Sequence, residues 1–203
     1  SQARSAHEPP PSVTRRSADA MMLSPAGPED LDAVAALVNG AYRGSEGNRG
    51  WTDEADYIDG QRTSAEDLRD DLTRPGATLL LVRDASGAPS CCVWLEPAAD
   101  DAWYLGMLTV RPRIQAQGEG RRLLAAAENF AAANGARRIR MTVVSIREPL
   151  IDWYRRRGYE LTGEREPFPY DDQRFGEPRI TGLEFVVLEK VLPPPLTSQP
   201  FPR

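Results

Sequence analysis

Val110-Arg-Pro-Arg-Ile-Gln115-Ala-Gln-Gly118-Glu-Gly120-Arg-Arg is the stretch on which the reading of this chain turns. Upstream of it, Trp103 to Val110 reads as a strand. Downstream, Arg121 to Asn134 places Leu123, Leu124, Ala127, Phe130 and Ala131 on one helix face before Gly135 stops the helix. A strand, a glycine-bearing turn and a helix N-terminus bring free backbone N–H groups and the positive end of the helix dipole to one point, which suits a pyrophosphate. Glycine serves there because a Cβ would hold the anion away from the backbone. Two familiar phosphate motifs do not fit. A dinucleotide fingerprint needs a glycine where Leu123 stands, and a P-loop needs Lys then Ser or Thr where Arg121 and Arg122 follow Gly120. On its own the turn is equally compatible with a tight strand-to-helix connection that binds nothing.

Working outward, the apolar period switches repeatedly between helix and strand. Leu31, Val34, Ala35, Val38, Ala41 and Tyr42 recur at three- and four-residue steps after Gly27-Pro28, which predicts a first helix. Ser64-Ala-Glu-Asp67 reads as a capping box opening a short second helix through Leu72, closed by Pro75-Gly76. Thr78 to Arg83 and Ser90 to Leu95 form a predicted hairpin across Asp84-Ala-Ser-Gly87. After the central helix come a strand from Arg138 to Val144, a short helix from about Pro149 to Arg157, and strands from Tyr159 to Thr162 and Leu183 to Leu188. With Ala20 to Leu23 as an opening strand, the order is β-α-α-β-β-β-α-β-α-β-β. Residues 1–19 carry Pro9, Pro10 and Pro11 with no apolar period and read as a flexible leader. Residues 193–203 hold five prolines and read as an extended tail, leaving one domain over 20–192.

Composition removes whole classes of function. Acidic residues outnumber basic ones 30 to 25, so no broad positive field draws the chain to nucleic acid. Apolar runs fall far short of the ~20 residues that cross a bilayer, so no membrane partner is expected. The two cysteines, Cys91 and Cys92, are adjacent and project to opposite faces of a strand, suiting neither a disulfide nor a chelate and implying a reduced, cytoplasmic setting. His7, the one histidine, lies in the leader, so Ser-His or Cys-His catalysis and histidine metal sites lose their key residue, and no metal is expected.

The glycine turn is followed, at the right distances, by a short helix ending Tyr154-Arg-Arg-Arg-Gly158-Tyr159. With Val110-x-Pro112 ahead of Gln115-x-x-Gly118-x-Gly120, this pattern resembles the GNAT superfamily of N-acetyltransferases over roughly Met21 to Leu192. The resemblance implies an α/β fold with a mixed, mostly antiparallel central sheet of about seven strands flanked by about four helices. It implies acetyl-CoA as co-substrate and transfer of its acetyl group to a primary amine of a small molecule or peptide, by direct attack in a ternary complex. A non-catalytic acyl-CoA-binding or sensing protein is the alternative, and a homodimer is left open.

Residue by residue, the resemblance implies that the backbone of Gln115, Ala116, Gln117, Gly118, Glu119, Gly120 and Arg121 holds the CoA diphosphate. Leu108, Thr109 and Val110 would present the strand edge along which pantetheine lies, and a strand amide would polarise the thioester carbonyl. Tyr154 would protonate the departing thiolate, although as a core aromatic it would look the same in sequence. Many relatives carry an Asn where Arg147 stands here. No carboxylate occurs in Trp103 to Val110, so Glu96, at the end of the preceding strand, is the candidate general base. Trp51 and Glu54, in the aromatic and acidic run Trp51 to Asp59, are candidates for binding an ammonium acceptor. The long connection from Glu166 to Thr181 is expected to lid the acceptor pocket.

Overall fold

The computed structural model describes residues 21–42, 58–59, 62–112, 118–167, 177–178 and 182–194. Trp51, Glu54, Gln115, Ala116, Gln117, the leader and most of the tail lie outside the described residues. In chain order the elements are β1 (Ser24–Pro25), a 3-10 turn (Pro28–Asp30), α1 (Leu31–Tyr42), β2 (Ile58–Asp59), α2 (Ala65–Asp71), β3 (Thr78–Arg83) and β4 (Pro89–Pro97). Then follow β5 (Ala102–Val110), α3 (Glu119–Ala133), β6 (Arg138–Val144), α4 (Glu148–Arg155), β7 (Glu160–Pro167), β8 (Glu177–Pro178) and β9 (Glu184–Val191). Seven strands form one sheet in the order β1-β3-β4-β5-β6-β9-β7, and β2 pairs with β8 separately. Every neighbouring pair is antiparallel except β5 with β6. The expected mixed sheet of seven strands with four α-helices is therefore the fold.

Local chemistry sets the element ends. The Ser64 side chain accepts a hydrogen bond from the Asp67 amide at 3.1 Å and so caps α2. Asp30 accepts from the Gly27 amide at 2.8 Å and from two nitrogens of Arg83 at 2.7 and 2.8 Å, tying the start of α1 to the end of β3. These contacts, the Arg83 pair foremost, hold the Asp30 carboxyl at about 2.

Alternation along β3 and β4 sends successive side chains to opposite faces of the sheet. Leu80, Cys91, Val93 and Leu95 pack with Leu105, Leu108 and Val110 against Leu123, Leu124 and Ala127 of α3 and Leu150, Ile151 and Tyr154 of α4. On the other face Leu79, Leu81, Cys92 and Trp94 pack against Leu31, Val34 and Val38 of α1 and Leu68 of α2. Cys91 and Cys92 are both free and buried, and burial pushes the Cys92 thiol up to about 12.

Several boundaries differ from expectation, and the short strands β2 and β8 were not expected at all. The opening strand is Ser24–Pro25 rather than residues 20–23, because Ser24 and Pro25 lie opposite Leu81 and Leu80 of β3. Helix α3 starts at Glu119, two residues early, because Gly118 itself is the left-handed N-cap at φ 77°. Strand β7 runs on to Pro167 although every residue in it is exposed, so it carries no apolar alternation to read.

A candidate active site where the sheet divides

The two central strands stay together for only a short distance. β5 pairs with β6 at Ala102 with Arg138, Trp103 with Ile139 and Tyr104 with Arg140. Among the described residues the ladder stops there, so from Leu105 to Val110 β5 no longer pairs with β6. On its other side β5 stays joined to β4, but with a bulge. Trp94 is opposite Gly106 and Cys92 opposite Thr109, so Val93 alone stands against Met107 and Leu108. Met107 absorbs the extra residue in a left-handed conformation at φ 48°, uncommon for a side chain of its size.

The chain leaves β5 at Val110 and re-enters the described structure at Gly118. At φ 77° a side chain at Gly118 would be strained, although a Cβ there would meet no atom within 4 Å. The Arg122 amide bonds to the Gly118 carbonyl at 3.2 Å. The amides of Glu119, Gly120 and Arg121 precede that bond and have no acceptor of their own in the helix, which leaves them available to an anion. Glu119, an acid at this positive helix end, is paired with Arg122 at 3.0 Å.

Tyr154 comes from α4 and packs in the same core as Leu105, Leu108 and Val110 of β5. It is buried, and its ring meets Trp153 edge-on at 5.1 Å and Tyr159 at 5.7 Å between centroids. Burial raises its pKa well above the ordinary phenol value; the nearby Tyr42 and Tyr104 push the same way, and Arg147 and Arg157 oppose. The raised pKa keeps its hydroxyl protonated. Arg147, the N-cap residue of α4, is buried, and its carbonyl accepts from the Leu150 and Ile151 amides.

Of the other residues singled out from sequence, Leu108, Thr109 and Val110 are buried on the divided stretch of β5. Glu96 lies opposite Tyr104, the last β5 residue before the division. Its carboxylate is occupied. Arg74 donates to both oxygens at 3.0 Å, Trp94 Nε1 donates to Oε1 at 3.1 Å, and the Arg74 guanidinium also lies over the Trp94 ring. The structure adds residues that sequence reasoning missed. Tyr42 ends α1 and donates from its hydroxyl to the Leu108 carbonyl at 3.0 Å. A Cβ on Gly106 would come within 2.9 Å of the Tyr104 ring, so a bare backbone is needed beside the bulge. In sequence Tyr42 was visible only as an apolar helix position, and nothing local marks a bulge.

The model of the acetyltransferase (GNAT) family matches residues 46–159, more than half of the chain, which therefore belongs to the GNAT acetyltransferase family and is an acyltransferase. Solved structures of this fold resemble it closely in shape and little in sequence. The ribosomal-protein-S18-alanine N-acetyltransferase of Escherichia coli is 14% identical, with a TM-score of 0.60 over 89% of this chain and 99% of that one. A nourseothricin acetyltransferase is 18% identical, with a TM-score of 0.58 over 86% and 99%. A spermidine N-acetyltransferase chimera from Vibrio cholerae is 14% identical, with a TM-score of 0.59 over 85% and 95%. No curated protein matches the chain in sequence. Among the described residues no helix is long and apolar enough to cross a membrane, and no group of His, Cys, Asp or Glu is placed to hold a metal.

Proposed function

We propose that the chain transfers an acetyl group from acetyl-CoA to a primary amine of a small molecule or peptide, by direct attack with both substrates bound. The observation that carries the reading is the division of β5 from β6 beyond Tyr104, with the first amides of α3 following β5 and Tyr154 packed in the same core as Leu108 and Val110. An extended arm with amide groups would lie along this stretch of β5, at Leu108, Thr109 and Val110. The amides of Gly118, Glu119, Gly120 and Arg121 would hold the diphosphate, together with Gln115, Ala116 and Gln117. Acetyl-CoA supplies the activated acyl group; the protein's own residues supply alignment and charge stabilisation.

In this reading an amide of the β5 bulge donates to the thioester oxygen as negative charge gathers on it. Tyr154 serves the sulfur. Its raised pKa keeps it protonated throughout the working pH range, but makes full proton transfer to a thiolate of ordinary pKa, about 8.5, an uphill step. Burial in the same cleft raises the thiolate's affinity for a proton too, which narrows the gap. Tyr154 therefore donates a hydrogen bond as charge develops and completes the transfer as CoA leaves. Glu96 has both oxygens engaged, so we assign it to anchoring the end of β4 on Arg74, with the ammonium proton leaving through water. For the acceptor, Trp51 and Glu54 are kept as the ammonium-binding pair, supported by their mixture of aromatic face and charge. Relatives of this fold named for spermidine and for an alanine of a ribosomal protein support an amine acceptor. Two buried free thiols support a cytoplasmic setting.

The test is thiol release from acetyl-CoA against a panel holding spermidine, an alanine-initiated peptide and free amino acids. Amine-dependent release is expected. Binding of acetyl-CoA without turnover on any amine would reduce the chain to a binding protein.

A further inference from the structure

The bulge that bends β5 at the reacting end is held from outside the sheet. Its two unpaired residues, Met107 and Leu108, offer carbonyls that β4 does not take up in register. Side chains take them instead. Met107 O accepts from the Thr109 hydroxyl at 2.7 Å and from the Cys92 thiol at 3.9 Å, and Leu108 O accepts from the Tyr42 hydroxyl at 3.0 Å. Thr109 and Cys92 belong to the sheet; Tyr42 does not. It reaches in from the last residue of α1, and its helix end is fixed in turn. One turn earlier, Asn39 Oδ1 accepts from the Arg62 and Thr63 amides at 2.7 and 3.0 Å, while Asn39 Nδ2 donates to the Thr63 carbonyl at 2.9 Å. That three-bond clamp sets the backbone of Arg62, whose guanidinium lies over the Tyr42 ring at 5.6 Å.

We infer that Tyr42 is a positioning residue for acetyl transfer: its hydroxyl holds the Leu108–Thr109 peptide plane and so anchors the β5 bulge whose backbone serves the thioester oxygen. The physical link is peptide planarity. Fixing the Leu108 oxygen on Tyr42 keeps the Thr109 N–H, on the opposite side of the same rigid plane, turned to β4, where Thr109 stands opposite Cys92, and so anchors one end of the bulge. A bulge with a left-handed residue next to it is where a peptide plane has most freedom to rotate, because it lacks the ladder bonds that hold its neighbours. Tyr42 also lies close enough to Tyr154 to raise its pKa, as Tyr104 does. The inference rests on the acetyltransferase reading above and adds a residue to it.

The test is steady-state kinetics of the full chain with acetyl-CoA and the best amine of the panel, comparing Tyr42→Phe with the unaltered protein. The variant keeps the ring and the Arg62 contact. Expected is a kcat about tenfold lower, a fraction of the 10²–10³ lost when an oxyanion donor is removed outright. KM for acetyl-CoA should stay within about twofold, because the α3 amides are untouched. An equal kcat, or a loss confined to KM, overturns the inference. Combining Tyr42→Phe with Tyr154→Phe tells how the effect travels: multiplied losses support action through the peptide, and a double variant no slower than Tyr154→Phe alone overturns it. Should Tyr42→Phe not fold, the near-isosteric Thr109→Val tests the same peptide pair from its other side, with the same fall in kcat expected and an unchanged kcat contradicting it. An unaltered protein inactive on every amine would instead sink the acetyltransferase reading itself.

Discussion

The sheet has two halves that are stabilised by different means. In the half β1-β3-β4-β5, the residues of β3, β4 and β5 are buried on both faces, with Leu79, Leu80, Leu81, Val93, Leu95 and Leu105 all at 2% exposure or less, clamped between α1 and α2 on one side and α3 on the other. In β6-β9-β7 one face packs on the α3 and α4 core, and a chain of ion pairs, Arg138 with Glu189, Glu189 with Arg140 and Arg140 with Glu164, runs across the strands. The halves are joined between β5 and β6 by only three residue pairs. Each half has its own ladders and its own packing, so the sheet can divide at its centre without losing either half. The division is a consequence of two ladders meeting briefly.

Variants that strike one half or the seam should separate these roles. The largest effect on stability is expected from Leu81→Ala, which empties a fully buried position between β3 and α1. Chemical denaturation should show a loss of about 2–5 kcal/mol. Tyr154→Phe, beside the seam, should leave the unfolding midpoint nearly unchanged while lowering kcat about 10²-fold, the lower range for a lost general acid. Because burial raises the Tyr154 pKa, the rate of the unaltered enzyme should show no alkaline fall from this group below pH 10. Gly118→Val should weaken acetyl-CoA binding by about tenfold or more in calorimetry, since holding a side chain in the left-handed region costs about 1–2 kcal/mol before any clash with the ligand. In the other half Glu189→Gln should cost under about 1 kcal/mol, as partly exposed ion pairs do. Glu96→Gln should change kcat less than about threefold if its role is anchoring; a loss near 10²-fold would make it the base.

The smallest effect concerns Asp30, which joins α1 to β3. Its folded pKa of about 2 lies below the ordinary carboxyl value, so its pairing with Arg83 stabilises the fold fully above pH 4 and is lost as pH falls towards 2. Acid titration of Asp30→Asn should show a shallower decline across that window than the unaltered chain.

Much of this was legible in the residues. The positions of α1, β3 and β6 follow from apolar period alone, because each buries a defined stripe or face. The glycine turn announced a helix N-terminus, and α3 opens at Glu119 directly after Gly118. Three kinds of feature were not legible. Strand order and the lone parallel pair depend on contacts between residues far apart in the chain, which no local period encodes. β7 has no buried face, so its length left no trace. The bulge at Met107 comes from a one-residue mismatch between β4 and β5, and with it went the roles of Tyr42, Tyr104 and Gly106. Arg74, which occupies Glu96, sits 22 residues away from it in sequence, beyond the reach of spacing arguments.

A crystal structure with CoA bound tests the central claim most directly. The account predicts the diphosphate on the amides of Gly118, Glu119 and Gly120, the pantetheine arm along Leu108, Thr109 and Val110, and the sulfur beside Tyr154. CoA bound elsewhere, or β5 and β6 zipped together past Tyr104 and Arg140 with the ligand shut out, would contradict it.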